Sequence, residues 1–260
     1  MSFFSNNAGY IGSSQQKRSN NIDVVGRANF GVVSSGLVLH LDAGNTASYP
    51  GTGTTWTDLS GSGNNGTLVN GVTWSGTTDG GVMICTATSS TVGQYIRTAG
   101  PNLSTTNHTI MAGTKIFNTA IQGRVVSGRY NNFLLGYHGG GYGRYYSEGW
   151  INDLSAGLGT NITYQNNDTN WRIFTCTGNY TSDSWALYDG LALSFGPNSY
   201  GSQGPNAFYL GTFNATSEFS SCYISFVLAY NRVLSYAEIM QNYYVFKNRY
   251  PSLYTTDYPV

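Results

Sequence analysis

GLVLHLDAGNTASYPGTGTTWTDLSGSGNNGTL, residues 36–68, decides how the rest of this chain is read. Leu37, Leu39 and Leu41 alternate in the opening run, and Asp42 closes it. A period of two marks a strand with one buried face. A Gly/Thr/Ser loop follows, then Trp56, Asp58 and a turn-dense SGSGNNG segment before the next apolar residues. Ser-Gly and Asn-Gly pairs punctuate tight turns, so the stretch reads as strand, loop, turn, strand.

Working outward, the same pattern continues to about Tyr230. Strands are predicted at 36–42, 67–74, 81–86, 93–98, 108–117, 122–128, 131–137, 143–147, 160–164, 170–177, 184–188, 191–195, 206–211 and 222–230. Many short strands separated by turn signals indicate an all-β sandwich or barrel. Residues 131–150 read as a hairpin with a glycine-rich connection, and Tyr188-Asp189-Gly190 as the turn of another, because Asp-Gly readily takes positive φ. One helix is clear. Ser235 stands at an N-cap position, Glu238 follows three residues later, and Ile239, Met240, Tyr243 and Phe246 recur at helical spacing up to about residue 249. Pro251 cannot continue it. Residues 251–260 read as a tail. Residues 1–33 read as an N-terminal extended arm rich in Ser, Asn, Gln and Gly, whose anchors Phe3, Phe4, Tyr10, Ile11 and Phe30 suit docking on a neighbouring subunit.

The 260 residues are enough for one large core. Charged residues are 9%, against about 25% in ordinary soluble domains, while Gly (34) and Tyr (21) are over-used. Net charge is zero, so no basic field draws nucleic acid or an anionic membrane. No apolar run approaches the roughly 18 residues of a membrane span, so no membrane insertion is expected. Cys85, Cys176 and Cys222 are odd in number and far apart, which predicts buried free thiols rather than a zinc site or a disulfide framework.

Several landmarks, in order, resemble laminin G-type modules of the concanavalin A-like lectin superfamily. They are the opening above, HTIMAGTKIF (108–117), GRVVSGRYNNFLLGY (123–137), the strand at 170–177, SWALYDGLAL (184–193), FYLGTF (208–213) and SCYISFVLAYNRVLSYAEIMQNYY (221–244). The resemblance covers roughly residues 34–250 and implies a concanavalin A-like jelly-roll β-sandwich with one C-terminal helix. The LDAGNT…TTWTDLSG opening is also similar to tailed-phage structural proteins. With no secretion-signal pattern at the N-terminus, this implies a virion surface protein, either a capsid decoration or a fibre or tail part. It would be made in the host cytoplasm, anchored to other virion proteins through its arm, and oligomeric. The rival reading is an extracellular carbohydrate-binding lectin module.

Catalysis is not expected. Glycoside hydrolysis needs two flanking carboxylates, and Glu148, Glu218 and Glu238 are the only glutamates, none in an E-x-D-x-E arrangement. His40, His108 and His138 accompany no G-x-S-x-G elbow. For carbohydrate, Tyr137, His138, Tyr142, Arg144, Tyr145 and Trp150 offer ring faces and hydrogen-bonding groups around a glycine loop, although an aromatic strand stripe more often faces the core. The calcium candidates are Asp42 and Asp58, for which a turn-capping role competes.

Overall fold

The computed structural model describes residues 31–77, 80–152, 168–198 and 201–253. The arm candidates Phe3, Phe4, Tyr10, Ile11 and Phe30, and the strand expected at 160–164, lie outside the described residues. Along the chain the strands are β1 (Leu37–Asp42), β2 (Thr55–Trp56), β3 (Gly66–Val69), β4 (Thr73–Ser75), β5 (Val82–Cys85), β6 (Ala87–Ser89) and β7 (Val92–Gly93). Then come β8 (Tyr95–Thr98), β9 (His108–Ile116), β10 (Val126–Gly128), β11 (Phe133–His138), β12 (Gly141–Ser147) and β13 (Trp150–Asn152). The last are β14 (Arg172–Asn179), β15 (Ser184–Asp189), β16 (Ala192–Asn198), β17 (Phe208–Leu210) and β18 (Cys222–Tyr230), followed by helix α1 (Tyr236–Arg249).

Two antiparallel sheets form a sandwich. The first runs β16-β15-β14-β9-β18-β5-β4, with β1 also on β18; the second runs β13-β12-β11-β10-β17-β8-β3-β2. The single strand expected at 67–74 is two. Asn70 and Gly71 take left-handed backbone (φ 60° and 78°) and break it, so β3 joins one sheet and β4 the other. The turn between β15 and β16 is Gly190-Leu191, because Asp189 still pairs with Ala192. Asp189 is thereby released from turn duty, and its side chain goes to Arg172.

Strand β18 divides the core. Cys222 and Ile224 face the space between the sheets, but a bulge between Ile224 and Phe226 inserts Ser225 and reverses the alternation. Val227 and Ala229 then face inward, while Phe226, Leu228 and Tyr230 face out beneath α1. Phe226 and Phe246 stack at 3.5 Å with rings nearly parallel. Both are fully buried, and each contributes about 2–3 kcal/mol of transfer free energy. The helix begins as its sequence predicts. Ser235 accepts from the Glu238 amide, Glu238 returns the bond, and Arg232 grips Glu238 in a two-pronged ion pair. That grip holds the Glu238 carboxyl down to about 2. Asn242, on the buried side, accepts from the Val33 amide and donates to the Tyr230 hydroxyl, which itself donates to the Val33 carbonyl. Residues from Gly31 onward are thus part of the sandwich, and Leu253 extends it past Pro251.

All three cysteines are free and buried, with Cys85 and Cys222 directly opposite each other across β5 and β18. His108 is fully buried among Phe133, Tyr180 and Trp185. Its Nδ1 is 3.2 Å from the Thr106 carbonyl, which can only accept, so Nδ1–H donates and Nε2 accepts from the Tyr145 hydroxyl at 3.2 Å. Burial favours this neutral form and lowers the imidazole to about 4. A folded-state value below the unfolded 6.5 gives stability that is complete above 6.5 and lost as pH falls toward 4. Urea unfolding at about pH 7 and about pH 4.5 should therefore show a loss on the order of 2–3 kcal/mol from this residue, much reduced in His108→Gln. An equal loss in both proteins would refute the assignment.

Candidate functional site

The hairpin β11–β12 carries most of the carbohydrate candidates. Gly139 and Gly140 (φ 56° and 88°) make the tight turn. Just beyond it, a bulge at Gly143 (φ 70°) opposite the Gly136–Tyr137 step reverses the side-chain parity of β12. The candidates are thereby sorted into two sets.

Tyr137, Tyr142 and Tyr145 face the core. Tyr137 packs edge-on against Phe174 at 5.4 Å, and burial pushes its phenol well above the usual value. Tyr145 supplies the hydroxyl bonded to His108. The Tyr142 ring lies 3.9 Å under the Arg172 guanidinium, which is braced by Asp168 and Asp189 at 2.5 Å each. These rings are structural, and none presents a free face to a ligand.

His138, Arg144 and Trp150 stand on the other side, joined by Tyr146. Trp150 meets Tyr146 at 5.1 Å and His138 at 5.6 Å, with the Arg144 guanidinium 5.9 Å from its ring. Arg144 is buried, while His138, Tyr146 and Trp150 are half-buried. At the hairpin tip a cleft of about 350 Å³ opens between Gly139, His138, the 120–123 loop, Ser90 and Glu218. Glu218 takes a left-handed backbone (φ 52°), and its Oε2 receives Arg124 Nε at 2.6 Å and faces His138 Nε2 at 3.5 Å. Arg124 is itself held by Asn132 Oδ1 at 2.7 Å and covered by the Phe213 ring at 4.0 Å. The cleft wall therefore holds the Glu218 carboxylate, fixed by Arg124, and the His138 imidazole, which packs against the Trp150 indole. Glu218 and Arg124 were not singled out by sequence. They lie 94 residues apart, and no local spacing signals their pairing.

The calcium candidates are committed elsewhere. Asp58 accepts from the amides of His40, Ser60 and Asn64 and from the Ser60 hydroxyl, tying the SGSGNNG turn to β1. Asp42 is fully buried and accepts from the Tyr250 hydroxyl at 2.7 Å, with Arg249 Nε at 3.2 Å from its other oxygen. These donor sets hold the fold and do not fit a cation site. Among the described residues no group of three His, Cys, Asp or Glu side chains could hold a metal ion.

No protein-family model matches the chain, and no curated protein matches its sequence. Solved structures do. The binding domain of Paraclostridial Mosquitocidal Protein 1 aligns over 82% of this chain and 53% of its own, at 16% identity and a TM-score of 0.56. This chain thus spans about half the length of that neighbour. Domain 4 of AbnA, a GH43 extracellular arabinanase from Geobacillus stearothermophilus solved with arabinotriose, aligns over 79% of this chain and 97% of its own, at 13% identity and a TM-score of 0.53. The botulinum neurotoxin serotype G binding domain aligns over 81% of this chain and 51% of its own, at 16% identity and a TM-score of 0.53. The fold is a lectin-like β-sandwich. At these identities the likeness fixes architecture and leaves chemistry to the residues.

Burial lowers His138 below its ordinary value; Glu218 opposes that shift, and Arg124 and Arg144 add to it. The imidazole is neutral near pH 7 and able to donate and accept. In an NMR titration the His138 ring should titrate below the unfolded value of 6.5, and Glu218→Gln should move it lower still. An upward move would show that the carboxylate does not face this ring.

Proposed function

We propose that the chain is a non-enzymatic recognition module of the laminin G type that binds glycan through the outer side of the β11–β12 hairpin and its cleft. One observation carries this reading: the bulge at Gly143 brings Trp150, Tyr146 and His138 together beside the fixed Arg124–Glu218 pair. An indole face stacks against the C–H surface of a sugar ring. A planar cation, a carboxylate and a neutral imidazole hydrogen-bond its hydroxyls. Glu218 is the single carboxylate among the cleft's lining residues, whereas glycoside hydrolysis uses a pair. The arabinotriose held by a neighbour of the same fold supports a sugar ligand.

Glycan-array binding followed by titration calorimetry tests the site. Trp150→Ala combined with His138→Ala should weaken the best ligand at least about tenfold, roughly 1.4 kcal/mol, with the melting temperature little changed. Tyr142→Ala should instead destabilise the fold, since its ring roofs Arg172. Undiminished binding by the double variant would remove the hairpin from consideration.

The narrower setting, a phage virion surface, rests on the sequence resemblance and on where the chain joins the sandwich. Gly31 and Val33 are bonded to Gln241 and Asn242 of α1, on the helix-covered side. The candidate cleft is on the opposite sheet. Mass spectrometry of purified particles should find this chain either near-stoichiometric with the major shell protein or at a few tens of copies. Its absence would refute the setting and leave the lectin module.

A further inference from the structure

The outer side of the second sheet carries another set of rings and cations, away from the hairpin. By register, Ser127 of β10, Tyr209 of β17, Arg97 of β8 and Thr67 of β3 stand opposite one another. The neighbours Phe208, Leu210 and Ile96 fill the core, so this row faces out. Tyr95 shares the side of Arg97. It meets Tyr209 at 5.6 Å and, at its other edge, Phe219 at 6.1 Å. The Arg129 guanidinium lies 4.8 Å from the Tyr130 ring and 5.8 Å from Tyr209. Tyr130 is 63% exposed, Arg97 is exposed, and Tyr95, Tyr209 and Arg129 are half-buried.

Charge distinguishes this face. Arg124, Arg172, Arg232 and Arg249 each pair with a carboxylate. Among the described residues the Arg97 side chain has no hydrogen-bond or ionic partner, and the Arg129 side chain donates only to the Thr98 carbonyl at 2.8 Å. In a chain with 9% charged residues and no net charge, two guanidinium groups left without a carboxylate beside exposed rings form a local excess of positive charge. Tyr95 and Tyr209 stand on adjacent strands with ring centroids 5.6 Å apart, and Tyr130 follows the end of β10, so the rings spread over more than one sugar's width. Nucleic acid also stacks on aromatic rings, but it needs a basic groove that tracks every phosphate, and two arginines do not make one.

We propose that this face binds a linear acidic glycan. Tyr95, Tyr209 and Tyr130 stack its rings, and Arg97 and Arg129 bond its carboxylate or sulfate groups. The proposal rests on the glycan-binding reading above and adds a second surface and the charge of the ligand.

The test titrates the whole chain with a linear oligouronate of about six residues, its carboxyl-reduced neutral form, and an oligothymidylate of similar length. Reduction of the carboxyls should weaken binding at least about tenfold, and so should Arg97→Glu, an exposed position where the fold is not at risk. Tyr209→Ala should do the same. Lys115→Glu, the same charge change on the other sheet, should leave binding within about twofold. Equal binding of the neutral form, or no effect of Arg97→Glu, would overturn the proposal. Tighter binding of oligothymidylate that Arg97→Glu abolishes would overturn it in favour of nucleic acid. Binding of a neutral glycan that Trp150→Ala abolishes, with no binding of the oligouronate, would overturn this face and leave the hairpin site standing. Loss of all glycan binding in the wild type would sink both.

Discussion

One inserted residue on β18 governs the architecture. An alternating strand turns one face to each of two layers, and β18 lies between the inter-sheet core and the layer under α1. The bulge at Ser225 switches which residues face which layer: Cys222 and Ile224 before it and Val227 and Ala229 after it enter the inter-sheet core, while Phe226, Leu228 and Tyr230 meet the layer under the helix. The backbone freed at the bulge is then put to use. The Ser225 carbonyl accepts from the Ala43 amide at 2.8 Å and lies 3.1 Å from the Tyr250 hydroxyl. Tyr250 also reaches Asp42, so the end of β1, the bulge of β18 and the end of α1 meet at one buried phenol. Arg249 supplies the compensating charge for Asp42 at 3.2 Å, which makes an otherwise costly buried carboxylate tolerable.

The same device builds the candidate site. At Gly143 a second bulge separates Tyr142, which turns inward over Arg172, from Arg144 and Tyr146, which turn outward toward Trp150. Without it, Tyr142 would lie on the side of Arg144. The inner set includes a buried Asp168–Arg172–Asp189 cluster roofed by an aromatic face. The outer set includes the Arg124–Glu218 pair roofed by Phe213. Each side of the hairpin thus holds a cation between carboxylate and ring, one sealed in and the other at the edge of a cleft.

What could be read in the chain follows from the range of each interaction. Ser235 and Glu238 cap α1 through bonds spanning three residues, and the period-two run of β1 carries its own signal. Asp58 as a turn cap was also legible, since two of the amides that donate to it, those of Ser60 and Asn64, lie within SGSGNNG. Bulges were not legible. A single Ser or Gly at 225 or 143 leaves composition unchanged, yet it reassigns each residue after it to the other face. For this reason plain alternation puts Tyr142 on the side of Arg144, whereas its ring faces the core. Partnerships such as Tyr250 with Asp42, 208 residues apart, exist only once the sheets have formed.

The sandwich is sided. Its first described residues are stitched to α1 on one sheet, and Tyr95, Arg97 and Tyr209 look outward from the other. Copies fastened side by side by the helix-bearing flank would all display the same surface in the same sense, at a spacing set by the width of the domain. Weak individual contacts with a repetitive polymer would then combine by avidity, so that modest affinity at each face could still give a durable hold.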